Sequence, residues 1–253
     1  MELNDQVRAF WEKEPCGIGG SIVGDAEIGT REWYERIEQH RYAAEPMIHA
    51  VAQFTRHRDK KMLEVGVGAG TDHLQWARAG CECHGVDLTD AAIETTRARL
   101  ALYGLSSSLQ RVDAEVLPFP DATFDLVYSW GVIHHSKSPE HIVAEIHRVL
   151  KPGGMFIGMV YGRRSPHVFK VWVRRALLRG KPWRSAADVV WHHVESIGTK
   201  SYTVKEVHGL FGAFRAREIE PMMTPYDLSR WPRWLSQFFP NRWGWFVTVR
   251  VVK

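Results

Sequence analysis

Between residues 59 and 162, short apolar runs alternate with longer amphipathic stretches separated by brief turns. This is the pattern of a parallel sheet covered by helices. Lys61-Met62-Leu63-Glu64-Val65 predicts a strand running into Gly66, and Cys81 to Val86 predicts a second, ending at Asp87. Thr71 to Ala79 reads as a helix stopped by Gly80, a residue that tolerates the positive φ of a helix end. Thr89 or Asp90 can cap the next helix, which runs through Leu102. Phe124 to Ser129 is an apolar strand. Ser138-Pro139-Glu140 opens a helix, with Ser as cap and Pro at the first helical position. That helix runs to Leu150 and is stopped by Lys151-Pro152-Gly153-Gly154; Met155 to Val160 is the next strand. Thr203-Val204-Lys205-Glu206 has the spacing of a capping box.

The flanks follow other patterns. Residues 1–58 read as a largely helical cap after a Gly-rich turn, Cys16-Gly17-Ile18-Gly19-Gly20. Residues 163–202 form a basic, Trp-containing insertion, and residues 203–253 read as a helix and two strands separated by an aromatic loop. Internal repeats are absent, so residues 1–253 are expected to form one domain.

Composition sharpens this in the C-terminal half. The chain has 253 residues and a formal net charge of +4, with 33 Lys and Arg against 29 Asp and Glu. Arg163, Arg164, Lys170, Arg174, Arg175, Arg179, Lys181 and Arg184 fall within 162–184, a stretch with no acid; without them, acids outnumber bases. Seven of the 11 tryptophans lie at or beyond position 172. No apolar run reaches the roughly 18 residues of a spanning helix, and the polar N-terminus has no signal-peptide core. Three cysteines make no disulfide framework, and Cys81 and Cys83 match no common zinc spacing. The expectation is a cytoplasmic protein without a metal.

The candidate chemistry centres on Leu63-Glu64-Val65-Gly66-Val67-Gly68-Ala69-Gly70-Thr71. Glycines at 66, 68 and 70 make a tight strand-to-helix turn that a ligand can approach closely. The spacing is G-x-G-x-G, not the G-x-G-x-x-G of dinucleotide sites. Glu64 suits a ligand carrying an ammonium group better than a pyrophosphate. Asp87, at the end of the second strand, can accept hydrogen bonds from both hydroxyls of a ribose. Asp113, after the presumed third strand, can accept from an adenine amino group, with the Ala114 backbone N–H serving the ring.

Together these segments resemble the class I S-adenosylmethionine-dependent methyltransferases. Leu63 to Gly70 is similar to their first motif, and Asp113-Ala114-Glu115-Val116-Leu117-Pro118-Phe119-Pro120 to their adenine-binding segment. Phe124-Asp125-Leu126-Val127-Tyr128-Ser129 followed by His134-His135, and Arg148-Val149-Leu150-Lys151-Pro152-Gly153-Gly154, extend the likeness over roughly residues 60–162. The UbiE-like, small-molecule branch matches best. The resemblance implies an α/β, Rossmann-like, seven-stranded and mostly parallel sheet with helices on both faces. Arg215 to Glu220 and Trp245 to Val252 fit its terminal antiparallel hairpin. It also implies S-adenosylmethionine as cofactor, with Gly66, Gly68 and Gly70 on the methionine part and its ammonium near Glu64. Asp87 then holds the ribose, Leu88 lies against the adenine, and Asp113 and Ala114 read its edge. Ser129, Trp130 and Gly131 line the site near the sulfonium. Arg41-Tyr42-Ala43-Ala44-Glu45-Pro46 is expected to cover the cofactor, with Tyr42 near the sulfonium; the competing reading makes Tyr42 a helix-packing residue.

His135 is the first candidate for a general base, because an imidazole ordinarily titrates near neutral pH; the rival reading has it ordering the loop. His134 is expected to point away. Tyr226, Tyr202, His192 and His193 are weaker candidates in the acceptor lid. His167 to Arg179 reads as an amphipathic helix with a basic stripe of Lys170, Arg174 and Arg175. A solvated lid face, an anionic small substrate and a peripheral membrane contact through 163–184 compete as its meaning. Nucleic-acid methylation is disfavoured, because Ser129-Trp130-Gly131-Val132 replaces the amine-methylating motif. Cys16, in Pro15-Cys16, is read as a loop residue, not a nucleophile. The expected activity is methylation of a small-molecule acceptor. A lipid or quinone-precursor methylase at a membrane surface and a non-catalytic cofactor-binding module are the alternatives.

Overall fold

The computed structural model describes residues 2–13, 17–229 and 240–253. Its strands are β1 (Lys61–Val65), β2 (Glu82–Asp87), β3 (Ser108–Arg111), β4 (Phe124–Trp130), β5 (Leu150–Tyr161), β6 (Arg215–Met222) and β7 (Phe246–Val252). They form one seven-stranded sheet in the order β3-β2-β1-β4-β5-β7-β6. β1 to β5 pair in parallel, and β7 runs antiparallel to both β5 and β6. This is the expected mixed, mostly parallel, Rossmann-like sheet. Between β1 and β4 the strand order reverses, so their carboxyl ends open a crevice where such sheets bind ligands.

Side-chain alternation along the strands divides the core between two faces. Leu63 and Val65 of β1 join Val127 of β4 and Phe156 of β5 on one face. That face is covered by α7 (Pro139–Val149) through Ile142 and Ile146, and by α10 (Val204–Leu210) through Val207. Met62, Leu126, Tyr128 and Ile157 point the other way. They meet Ile48 of α4 (Ile48–Ala52), Trp76 of α5 (Thr71–Arg78), Val168 of α8 (Pro166–Arg175) and Val190 of α9 (Ala186–His193). The remaining helices are α1 (Leu3–Lys13), α2 (Gly20–Val23), α3 (Arg31–Ala44), α6 (Asp90–Leu102) and α11 (Pro225–Leu228). No helix among the described residues is long and apolar enough to cross a membrane.

Local chemistry explains most boundaries. The Thr89 hydroxyl caps α6 by accepting from Ala92 N, and Thr203 and Glu206 form the expected capping box of α10. Ser138 stands at the N-cap of α7 but makes no side-chain cap; its backbone N–H instead donates to Glu115 Oε1 at 3.0 Å. The expected turn at Lys151–Gly154 lies within β5 as a register slip, because pairing with β4 jumps from Phe124–Leu150 to Leu126–Met155. Helix α1 precedes the Gly-rich turn, where no helix was expected. α8 stops at Arg175 and not Arg179; a 3-10 turn over Leu177–Arg179 follows. Cys16 and residues 230–239 of the expected aromatic loop lie outside the described residues.

Candidate functional site

A cavity of about 600 Å³ opens at the carboxyl ends of β1, β2 and β4. Its floor is the turn after β1, where Gly68 has φ +53° and a side chain added there would meet nothing within 4 Å. Only a residue without Cβ keeps this strained backbone relaxed and the space above it open. Gly70, also expected to face the ligand, lies behind the wall: a Cβ there would come within 2.8 Å of Thr96 Oγ1 on α6. It is needed for helix-to-helix packing. Arg99 props the turn from below, fully buried, donating to the Ala69 carbonyl at 3.2 Å and to Thr71 Oγ1 at 2.7 Å.

Asp87 stands at the tip of β2 with both oxygens tied to neighbouring turns. Oδ2 accepts from Gly68 N at 3.2 Å, and Oδ1 from Thr89 N at 3.0 Å and Thr89 Oγ1 at 2.8 Å. Burial pushes its carboxyl up, and these hydrogen bonds oppose the shift. Leu88, Asp113 and Ala114 line the same end. Asp113 Oδ1 accepts from Glu115 N at 3.0 Å, and its Oδ2 accepts from Asn4 Nδ2 at 2.8 Å. Asn4 belongs to α1, which also lays Val7 and Trp11 along the cavity. Sequence reasoning missed these three, because the polar-apolar pattern of 3–13 is too short to say where its helix docks.

Glu64 lines the cavity at the end of β1 and is almost fully buried. Its Oε2 lies 2.9 Å from His73 Nδ1, and His73 Nε2 lies 2.8 Å from Ser107 Oγ. The Ser107 hydroxyl donates to the Cys83 carbonyl at 2.8 Å, so its oxygen accepts from His73 Nε2–H. A neutral His73 then offers a bare Nδ1, and Glu64 supplies the proton between them. Burial acts the same way on both partners: it pushes His73 down to about 4 and, with the Asp72 charge, holds Glu64 well above the usual carboxylate range.

Beside Glu64 lies a buried polar group that covers this end of the cavity. Arg41 Nη2 and Asp72 Oδ2 are 2.6 Å apart, and Tyr128 donates to the same oxygen at 2.9 Å. Arg41 and Glu45 line the cavity, as the segment 41–46 was expected to do. Tyr42 is the exception: its hydroxyl donates to Asp72 Oδ1 at 3.1 Å, and the ring packs on His49. Helical phase turns Arg41, not Tyr42, toward the opening. Asp72, in the first turn of α5, was missed; an acid just past a Gly-rich turn was the available signal. Ser129 is also removed from the cavity wall. Its hydroxyl donates to the Val65 carbonyl at 2.9 Å and clamps β4 to β1, whereas Trp130 faces the opening and donates to Glu45 Oε2 at 2.6 Å. Gly131 completes that wall.

The far end is aromatic. Trp130, Tyr161, His167, Tyr226, Trp245 and Phe246 line it, with His135 at its edge. The Thr199 hydroxyl donates to the Ser196 carbonyl at 2.6 Å, so its oxygen accepts from His135 Nδ1–H at 3.0 Å. Nε2 lies 3.2 Å from Glu195 Oε2. Tyr161 donates to the same carboxylate, at 3.0 Å from each oxygen. Glu195 sits at φ +57°, a region that costs a residue with Cβ roughly 1–2 kcal/mol. No sequence signal singled out Glu195. His134 is buried, packs tilted on Tyr161 with ring centroids 3.8 Å apart and does not line the cavity. His134, His135 and Glu195 offer donor atoms within 4.8 Å of one another, a spacing that also suits a cation. His193 lines the cavity and is exposed; His192 turns back to the Asp188 carbonyl, and Tyr202 packs against the core.

Known proteins share part of this sequence and the fold that carries it. Residues 63–158 match the methyltransferase domain family. A Bacillus subtilis protein, the uncharacterized methyltransferase YcgJ, is 34% identical over 100 residues, which are 39% of this chain and 40% of that one. A probable chloroplastic tocopherol O-methyltransferase of Oryza sativa subsp. japonica is 34% identical over 119 residues, 46% of this chain and 33% of that one. The chain spans about two-fifths or less of the length of the curated relatives it matches. Among solved structures, YcgJ superposes with a TM-score of 0.54 at 21% identity, covering 85% of this chain and 99% of that one. The [4+2]-cyclase SpnF superposes with a TM-score of 0.60 at 18% identity, covering 99% and 94%. Residues 63–158 therefore form a methyltransferase domain, on a fold shared with solved S-adenosylmethionine-dependent methyltransferases. The open space over Gly68 and the carboxylates at the ends of β1 and β2 fit that cofactor.

Proposed function

We propose that the chain methylates a small molecule that gives up a proton from the accepting oxygen or nitrogen. One observation carries the reading. His135 Nε2 faces the Glu195 carboxylate at 3.2 Å, with a place for one proton between them. When bound, S-adenosylmethionine supplies an electrophilic methyl on a sulfonium. Asp87 holds the ribose, Asp113 and Ala114 the adenine edge, Leu88 its face, and Glu64 with Arg41 and Glu45 the methionine end. Gly68 leaves the backbone approachable, Gly66 gives up its side-chain space to Val132, and Trp130 and Gly131 wall the reacting end. The aromatic end orients the acceptor and excludes water, and orientation of this kind supplies much of the rate. As the new bond to the acceptor forms, its proton passes to His135 Nε2, and Glu195 stabilises the imidazolium. Tyr226 bounds the acceptor end.

A second reading keeps the chemistry and changes the acceptor to a lipid or quinone precursor. The six aromatic rings of that end favour a flat or greasy molecule, and the likeness to a tocopherol methyltransferase supports it. A non-catalytic, cofactor-binding module remains the rival outside enzymes; SpnF shows that this fold also carries a protein named for a different reaction. The test is calorimetric titration with S-adenosylmethionine, followed by assay for S-adenosylhomocysteine over a panel of phenols, quinols and amines. Asp87→Ala should weaken binding about 10–100-fold, the worth of hydrogen bonds to a charged group, with an unchanged circular dichroism spectrum. Equal affinity removes Asp87 from the site. Tight binding without product from any acceptor favours the module.

A further inference from the structure

A second concavity, of about 440 Å³, opens on the segment 163–202 and is lined by Arg175, Arg179, Lys181, Arg184 and His193. Arg184 is already engaged: its Nε bonds Asp188 Oδ2 and its Nη1 lies 2.9 Å from His193 Nε2. Arg175, Arg179 and Lys181 have no carboxylate partner among the described residues, and none is buried. Three unpaired cations converging on one hollow are a site for a phosphate, which the guanidinium fork matches in shape. Lys170, part of the expected basic stripe, is not among them. Its ammonium donates to the carbonyls of Tyr226, Asp227 and Ser229 and ties α8 to α11.

The surroundings of the hollow say where the phosphate comes from. Ten large apolar side chains are exposed among the described residues, and four of them, Phe169, Leu177, Leu178 and Trp183, fall within 169–183. Leu178 is 74% exposed and Trp183 76%. Leucines and a tryptophan standing in water beside arginines are of no use to a solvated face and of little use to a nucleic acid strand. They suit the boundary between lipid headgroups and acyl chains, where tryptophan and basic residues settle together.

We propose that this face docks on an anionic membrane, with a lipid phosphate in the Arg175–Arg179–Lys181 hollow and Leu177, Leu178 and Trp183 in the headgroup–acyl boundary. Docking of this kind does not depend on methyl transfer. His193 lines both the hollow and the main cavity, so the docked face brings the aromatic end of the cavity to the lipid surface.

The experiment is co-sedimentation of the full chain with vesicles of phosphatidylcholine alone and of phosphatidylcholine mixed with phosphatidylglycerol, at low and high salt. The mixed vesicles should bind the chain and release it as salt rises. Each of Arg175→Gln, Arg179→Gln and Lys181→Gln should weaken binding roughly fivefold, and the triple variant about a hundredfold. Leu178→Asp with Trp183→Asp should weaken it while leaving the salt dependence in place. Equal binding to both vesicles, or a triple variant that binds like the parent, overturns the proposal. So does protection by inorganic phosphate, or binding of an oligonucleotide, without vesicle affinity; these outcomes assign the hollow to a soluble phosphate or to nucleic acid. S-adenosylhomocysteine formation measured on the same samples keeps the two readings apart, because each can fail alone.

Discussion

The two ends of the cavity are built by different means. The end around Gly68, Asp87 and Asp113 is made from turns at the tips of consecutive strands, and hydrogen bonds from residues close in sequence hold Asp87 and one oxygen of Asp113 there. Asp87 takes three such bonds from residues within 19 positions of it. The end around His135 is assembled from side chains on segments far apart, with Glu195 and Tyr161 34 residues apart and His135 and Thr199 64 apart. The first end is a property of the sheet and the second a property of this chain's particular insertions. Proteins with the same sheet can therefore differ in what they do at the second end.

If that contrast holds, damage to the second end should reach chemistry and spare binding. His135→Ala should lower turnover about 10²–10⁴-fold, the usual worth of a positioned base, with S-adenosylmethionine affinity unchanged by calorimetry. A parallel loss of affinity would mean that the two ends are one unit.

A smaller effect separates the buried acid at the first end. Glu64 and His73 together hold one proton in the folded chain. Unfolded, they hold two below about pH 4.5, one between 4.5 and 6.5, and none above, by their ordinary values. The folded pair therefore leaves stability flat from 4.5 to 6.5. Above 6.5 the folded state binds the extra proton, so stability falls as pH rises, by up to about 1.4 kcal/mol per unit until Glu64 ionises. Below 4.5 the unfolded state binds the extra proton, and stability falls as pH drops. Glu64→Gln keeps the donor to His73 and removes the titration: its contribution should be flat above 6.5 and lost as pH falls through 6.5 toward 4. Urea melts across pH read both curves, and identical curves would place the proton elsewhere.

The smallest effect tests the strain at the second end. Glu195→Ala and Glu195→Gly both remove the carboxylate, so both should lose turnover. The glycine variant should be the more stable by about 1 kcal/mol, because φ +57° penalises a Cβ. Equal stability would mean that the backbone relaxes once Tyr161 and His135 are released.

The same contrast explains how far the sequence could be read. Strand tips, caps and the Gly-rich turn announce themselves through residues within a few positions of one another, so β1, β2, β4, Asp87 and the capping box at Thr203 were legible. Of the two readings of Tyr42, its contacts to Asp72 and His49 favour helix packing, and a segment's arrival over the cavity is easier to read than its rotation. Ser129 was assigned to the wall when strand alternation turned it inward. Gly70 was grouped with Gly68, though only the latter faces open space. Glu195 and Asn4 carried no local signal at all, since what they touch lies 34 to 133 positions away.

Helix α1 bridges the contrast. Asn4 reaches Asp113 and Glu115 at one end, while Trp11 lies edge-on to the His135 ring at 5.4 Å. It is fastened mostly by polar contacts, with Val7 as its one buried residue. One short helix therefore roofs both halves of the chamber, and its seat is set by side chains at the sheet's tips more than by a buried apolar face.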